Sequence, residues 1–147
     1  MLRTLLVVVL CTLTTTLTHA KALADADKAR ALAEAFMQQV TNGEAESGYT
    51  TLSAYVGVNF EQFNARGKKL VSDLQQVESR VGKPLSYDFL ATQSVKQHLL
   101  KLTYLLKYPS AAVIWEFNFY QPQNGWQLVD VSYHTNINAL FSLPARK

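Results

Sequence analysis

The residues best suited to chemistry in this chain of 147 residues are a carboxylate and an imidazole near its carboxyl end, Asp130 and His134. Such a pair can act as a general acid and base when both side chains face one pocket. If they point outward instead, they belong to a solvated surface. His98 is the other histidine after residue 20, and no cysteine follows Cys11, so the sequence contains no zinc-ligand spacing. We predict no metal site and no cofactor.

Aromatic side chains in the second half of the chain form another set of candidates. On one face of a sheet covered by helices, such rings can line an apolar pocket whose hydroxyl groups orient a ligand. The same rings can also form an ordinary core with satisfied hydroxyls. The candidate ligand-binding residues are Tyr87, Tyr104, Trp115, Phe117 and Tyr133.

Alternation of apolar and polar residues predicts that these aromatic residues lie on strands. The period is two from Leu85 onward, and the sequence Tyr-Pro-Ser-Ala at residues 108–111 is typical of a tight turn. Closing that turn pairs Tyr104 with Trp115 and gathers the large apolar side chains on one face. The sequence therefore predicts an antiparallel meander of four strands with one buried face.

The last hairpin allows two registers, and they differ in where the polar candidates point. A two-residue Asn-Gly turn pairs Trp115 with His134 and turns Asp130 inward as well. A five-residue loop over residues 121–125 pairs Trp115 with Val131 and turns both polar side chains outward. A one-residue slip moves every side chain to the opposite face, so we favour the second register, which keeps both faces consistent.

Helical periodicity precedes the strands. Apolar spacing predicts an amphipathic helix over about residues 25–41 and further helix over residues 48–80, where Gly57 and Gly67 predict a division into two or three shorter helices. The Gly-Lys-Pro sequence at residues 82–84 predicts the end of this half. We therefore expect an α+β fold, with N-terminal helices packed on a curved four-stranded antiparallel meander in a cone-shaped roll.

The first twenty residues have the organisation of a secretory signal peptide. Arg3 precedes an apolar run, and a threonine-rich stretch follows and ends at Ala20. The run is too short to span a membrane, because a spanning helix needs about 20 apolar residues. We predict that residues 1–20 are a signal peptide removed by cleavage near Ala20. We also predict a single domain over residues 21–147 and a periplasmic or secreted location.

Composition excludes several classes of function. The chain is 48% hydrophobic and 17% charged, which is ordinary for a globular domain. Its formal net charge of +3 is too small and too scattered to indicate a nucleic-acid partner. We also predict no stable membrane span after cleavage, because no second apolar stretch approaches the necessary length.

The order of the predicted elements resembles the nuclear-transport-factor-2-like superfamily, the cystatin-like α+β roll. Four segments carry the resemblance: Arg80-Val81-Gly82, residues 104–108, residues 112–117, and Gly125-Trp126-Gln127-Leu128-Val129. The resemblance implies a curved sheet wrapped around a helix, a conical pocket in many members, and frequent dimerisation through the sheet. Some members are isomerases or dehydratases with a Tyr/Asp or His/Asp constellation, and many exported bacterial members have no assigned activity.

Three functions are compatible with these features. The first is an exported, non-catalytic binding or accessory domain that holds a small apolar ligand in an aromatic-lined pocket and forms a homodimer through its sheet. The second is a small isomerase or dehydratase that uses Asp130 and His134 with a pocket tyrosine. The third is an envelope scaffold that presents its sheet to another protein.

Overall fold

Helices precede a sheet in this structure, a computed structural model that describes residues 20–57 and 60–142. The predicted signal segment lies outside the described residues except for Ala20. The α+β class is confirmed, with the helices first and a four-stranded antiparallel sheet after them. The elements are α1 Ala26–Thr41, α2 Ala45–Ser53, α3 Phe60–Val81, β1 Ser86–Val95, β2 Leu99–Lys107, β3 Ala112–Tyr120, β4 Gln127–His134 and the 3₁₀ helix η1 Ile137–Ser142.

Helix α1 lies where the apolar spacing predicted it. Its N-cap is Asp25, whose carboxylate accepts a hydrogen bond of 2.7 Å from the Lys28 backbone N–H. Such a cap is worth about 1 kcal/mol, because it satisfies a backbone N–H that has no partner within the helix. The buried face consists of Ala29, Leu32, Ala33, Phe36, Met37 and Val40.

The prediction that Gly67 divides the helical segment is wrong, because Gly67 lies inside α3. The helix continues through Gly67 without a break, while the division near Gly57 and the end at Gly82, which has a φ of +87°, are confirmed. A Cβ atom at position 67 would overlap the ring of Tyr49 on α2. Gly67 therefore lets two helices approach closely, and it does not end either of them.

The sheet is open, with strand order β1-β2-β3-β4, so β1 and β4 are its edge strands. The predicted hairpin between β2 and β3 is confirmed, since Tyr104 lies opposite Trp115 and Tyr108 N–H donates a hydrogen bond of 2.9 Å to Ala111 O. The inner face of the sheet packs against α1. Phe36 lies there with its ring centre 5.2 Å from that of Trp115.

The register of the last hairpin differs from both predicted registers. Trp115 lies opposite Tyr133, so the favoured pairing of Trp115 with Val131 is wrong by two residues. A shift of two preserves the face on which each side chain lies, and Val131 accordingly faces inward beside Phe117. The expected outward positions of Asp130 and His134 are retained, because they lie opposite the outer-face residues of β3.

A β-bulge explains why neither simple register holds. Asn118 pairs with Asp130 but its neighbour Phe119 pairs with Leu128, so Val129 is the extra residue. In a regular strand Leu128 and Val131 would face opposite sides, being three residues apart. The bulge lets both enter the core, where Leu128 is 0% exposed and Val131 is 7% exposed.

Short bridges join the N-terminal part of the chain to β4. Leu23 and Trp126 form an antiparallel bridge with two backbone hydrogen bonds, of 2.8 Å and 2.7 Å. Val56, after α2, forms a parallel bridge with Leu128. Among residues 20–57 and 60–142, no helix combines the length and the apolar character needed to cross a membrane.

Candidate functional site

Three of the five predicted ligand-binding aromatics are completely buried. Tyr104, Trp115 and Phe117 are each 0% exposed and pack on one another, with ring centres 5.6 Å apart for Tyr104 and Phe117 and 6.5 Å apart for Trp115 and Phe117. Their surfaces are therefore occupied by neighbouring rings. Tyr87 is half-buried beside them, and its hydroxyl donates a hydrogen bond of 3.5 Å to the Glu34 carbonyl.

The predicted acid–base pair is not brought together. Asp130 and His134 are four residues apart on one strand, which places them about 13 Å apart along it. The Asp130 carboxylate instead accepts a hydrogen bond of 2.8 Å from Arg66 on α3. His134 Nδ1 is buried, and it has no hydrogen-bond partner among the described residues.

Tyr133, the fifth predicted aromatic, lines a cleft between α3 and β4. This α3–β4 cleft has a volume of about 340 Å³. Helix α3 and the edge strand β4 supply most of its wall, and α2 supplies a tyrosine. The lining residues are Tyr49, Arg66, Lys69, Leu70, Asp73, Asp130, Val131, Ser132 and Tyr133.

Hydrogen bonds and ion pairs fix the charged groups at the rim of the cleft. Asp73 Oδ2 accepts two hydrogen bonds of 2.6 Å, one from Lys69 Nζ and one from the Tyr133 hydroxyl. Arg66 and Asp130 form a second ion pair, between α3 and β4. The rim therefore alternates positive and negative groups, each held by a partner.

The pKa values of three cleft residues, Tyr49, Asp73 and Tyr133, are displaced away from neutrality. The hydrogen bond from Lys69, followed by that from Tyr133, lowers the pKa of Asp73 below its ordinary value. Burial, with the hydrogen bond to Asp73, raises the pKa of Tyr133 to about 12. Burial likewise raises the pKa of Tyr49 to about 12. At neutral pH Asp73 is a weak base and both tyrosines stay protonated, so these groups can bind a ligand but are poorly suited to proton transfer.

Sequence reasoning missed the α3 side of this site. Arg66, Lys69 and Asp73 follow the spacing of one helical face, which indicates neighbouring charges but gives no partner. Their relation to Tyr133 depends on the packing of α3 against β4, and that contact joins residues distant in the sequence. Within the described ranges, no cluster of three or more histidine, cysteine, aspartate or glutamate residues could hold a metal ion.

Comparisons with known proteins add little to this description. No protein family and no curated protein matches the chain. Among solved structures, it is similar to a DUF4783 family protein from Bacteroides ovatus, with 11% sequence identity and a TM-score of 0.39. The similarity covers 67% of this chain and 89% of the other. At this level it supports no argument about function.

Proposed function

We propose that this protein is an exported, non-catalytic binding domain of the nuclear-transport-factor-2-like type. Its α3–β4 cleft holds a small molecule that is largely apolar and has one anionic end. The observation that carries the proposal is the combination of an apolar floor with a rim of charged side chains that ion pairs hold in place. The first twenty residues support export, and N-terminal sequencing of the mature protein tests it by looking for a start near Lys21.

The floor of the cleft suits the apolar part of such a ligand. Leu70 and Val131 are 4% and 7% exposed and underlie the opening, while the rings of Tyr49 and Tyr133 flank it. Trp115 packs behind Tyr133 at 5.5 Å between ring centres, which supports that wall from the core. A wall fixed in advance reduces the ordering cost of binding.

The rim suits the anionic end. Arg66 uses one terminal nitrogen on Asp130, and a guanidinium carries five N–H donors, so others remain for a ligand. The Lys69 ammonium uses one of its three N–H donors on Asp73, and because its side chain is 75% exposed the others remain for the same ligand group. A carboxylate or sulfonate above Arg66 would therefore gain charge-assisted hydrogen bonds.

Anilinonaphthalene sulfonate is a suitable probe, because it combines fused apolar rings with one sulfonate. We expect its fluorescence to report saturable binding, and Arg66→Gln to weaken the affinity about tenfold. Arg80→Gln is the matched control, since Arg80 is an exposed residue on the same helix and does not line the cleft. Equal affinities for the two variants, or no saturable binding to the folded protein, would overturn the proposal.

A homodimer that forms through the sheet is the second part of the proposal. An exposed apolar row on the outer face supports it, because Val95 pairs with Leu99 and Leu99 pairs with Tyr120 across three strands. These side chains are 62%, 45% and 42% exposed. Contiguous exposed apolar surface of this kind often marks an interface. Ile114, on the same face, is only 1% exposed and is not available to a partner.

Sedimentation equilibrium tests the dimer directly. The wild-type chain is expected at twice the protomer mass, and Leu99→Lys is expected to shift it to the mass of one protomer. Phe141→Lys is the control, because Phe141 is 85% exposed but lies on η1, outside the row. A single-protomer mass for the wild-type chain at high concentration would contradict this part.

A further inference from the structure

A second concave surface lies between α2 and α3. Two adjoining cavities of about 480 Å³ and 530 Å³ share the residues Glu46, Thr50 and Val71, and together they form one groove, the α2–α3 groove. It uses a different face of α3 from the α3–β4 cleft. Tyr49 on α2 lines both surfaces, but the inference for the groove does not rest on the function proposed for the cleft. The α3 residues that line it are Phe60, Asn64, Gly67, Lys68, Val71, Leu74, Gln75 and Glu78.

The floor of the groove is apolar. Tyr49 and Leu74 are 6% and 3% exposed and lie at its base, with the half-buried Val71 between the two cavities. Phe60 is 55% exposed at one end and is among the most exposed large apolar side chains described. From Phe60 to Glu78 the α3 wall is about 27 Å long, or about five helical turns.

The rim is negatively charged, in contrast to the chain as a whole. Glu44, Glu46 and Glu78 line the groove and form no ion pair with another described residue, and Lys68 is the basic residue among those that line it. The formal charge of the whole chain is +3. A local excess of carboxylates above an apolar floor favours an apolar ligand that carries positive charge.

The walls also restrict the conformation of that ligand. Both are α-helices, so the groove offers no strand edge with which an extended peptide could pair. A helix satisfies its own backbone and binds grooves through side chains alone. We propose that the α2–α3 groove binds a basic amphipathic helix of a partner protein. Its apolar side chains cover Val71 and Leu74, and its lysine or arginine residues face Glu44, Glu46 and Glu78.

A designed peptide tests this proposal. The probe is a fluorescein-labelled peptide of about 18 residues, built from leucine and lysine with the leucines on one helical face. Fluorescence anisotropy is expected to show saturable binding that weakens as salt is added. The control peptides are a scrambled sequence of the same composition and a counterpart in which glutamate replaces every lysine. Both are expected to bind at least about tenfold more weakly.

Paired variants assign the binding to the groove. Glu46→Gln with Glu78→Gln is expected to raise the Kd of the lysine peptide about tenfold. Asp27→Asn with Glu61→Gln removes the same charge from exposed positions outside the groove and is expected to leave the Kd within about twofold. Circular dichroism verifies that both double variants are folded.

The floor provides a further test. Val71→Lys places a cation in the floor of the groove, where the apolar face of the peptide is expected to lie. This variant is expected to abolish binding of the lysine peptide. The proposal is overturned if the scrambled or the glutamate peptide binds as tightly as the lysine peptide. It is equally overturned if both double variants, while folded, change the Kd by the same factor.

Discussion

The Tyr133 hydroxyl on β4 donates a hydrogen bond of 2.6 Å to Asp73 Oδ2 on α3, and this contact joins the edge strand to the longest helix. The Tyr133 ring packs against Trp115 in the core, while Asp73 also accepts a hydrogen bond from the exposed Lys69. One side chain therefore connects the aromatic core to the charged rim of the α3–β4 cleft.

Removing this hydroxyl is predicted to destabilise the fold. Tyr133→Phe keeps the ring but loses the hydrogen bond to Asp73, so we expect the free energy of unfolding to fall by about 1 kcal/mol. Urea unfolding measures the change. Tyr120→Phe is the control, since Tyr120 is 42% exposed on β3, and equal losses in the two variants would contradict the prediction.

The lowered pKa of Asp73 predicts a loss of stability in acid. Because the pKa in the folded state lies below the ordinary value of 3.8, the contribution of Asp73 is fully present above that value. It is lost as the pH falls through the lower folded pKa. The unfolding free energy of Asp73→Asn should therefore depend less steeply on pH below about pH 4 than that of the wild type. Asp27→Asn serves as the control, and the idea fails if Asp73→Asn keeps the full acid dependence.

The close approach of α2 and α3 predicts that Gly67 tolerates no side chain. Alanine favours helix over glycine by about 1 kcal/mol, but a methyl group here overlaps the Tyr49 ring. We expect Gly67→Ala to destabilise the protein by about 1 to 3 kcal/mol, as overpacking does. Ser72→Ala, at an exposed position of the same helix, should change the stability little.

A double-mutant cycle separates overpacking from other causes. In the Tyr49→Ala background the clash is removed, so adding Gly67→Ala should be neutral or stabilising. An unchanged cost in that background would show that Tyr49 is not the obstacle.

Thr103 offers a stabilising substitution. It is 1% exposed on β2, and its hydroxyl has no hydrogen-bond partner among the described residues. Replacing an unsatisfied buried hydroxyl with a methyl group should raise the free energy of unfolding, so we expect Thr103→Val to gain about 1 kcal/mol. Thr92→Val, at an exposed position of β1, is the matched control for strand propensity. A loss of stability in Thr103→Val would contradict the prediction.

Local patterns predicted the parts of this fold that depend on local interactions. The helix over about residues 25–41, the stop at Gly82 and the turn that pairs Tyr104 with Trp115 each depend on a few neighbouring residues. The bulge at Val129 could not be predicted from alternation alone, because Leu128 and Val131 are both buried only through contacts with the rest of the core.

The site was less predictable than the fold. Tyr133 was identified as a candidate, but its partner Asp73 lies on a helix 60 positions away along the chain. The aromatic pattern could not distinguish a pocket from a core, because both place rings on one face of the sheet. Helix packing makes these rings part of the core, since Phe36 on α1 contacts both Trp115 and Phe117.

The bridge between Leu23 and Trp126 has a consequence for the order of events during folding. It joins residues roughly 100 positions apart, so a long loop must close before the bridge can form. Helix α1 and the β2–β3 hairpin consist of neighbouring residues and can form earlier. The residues that lead into α1 are thus expected to be among the last in the domain to find their partner.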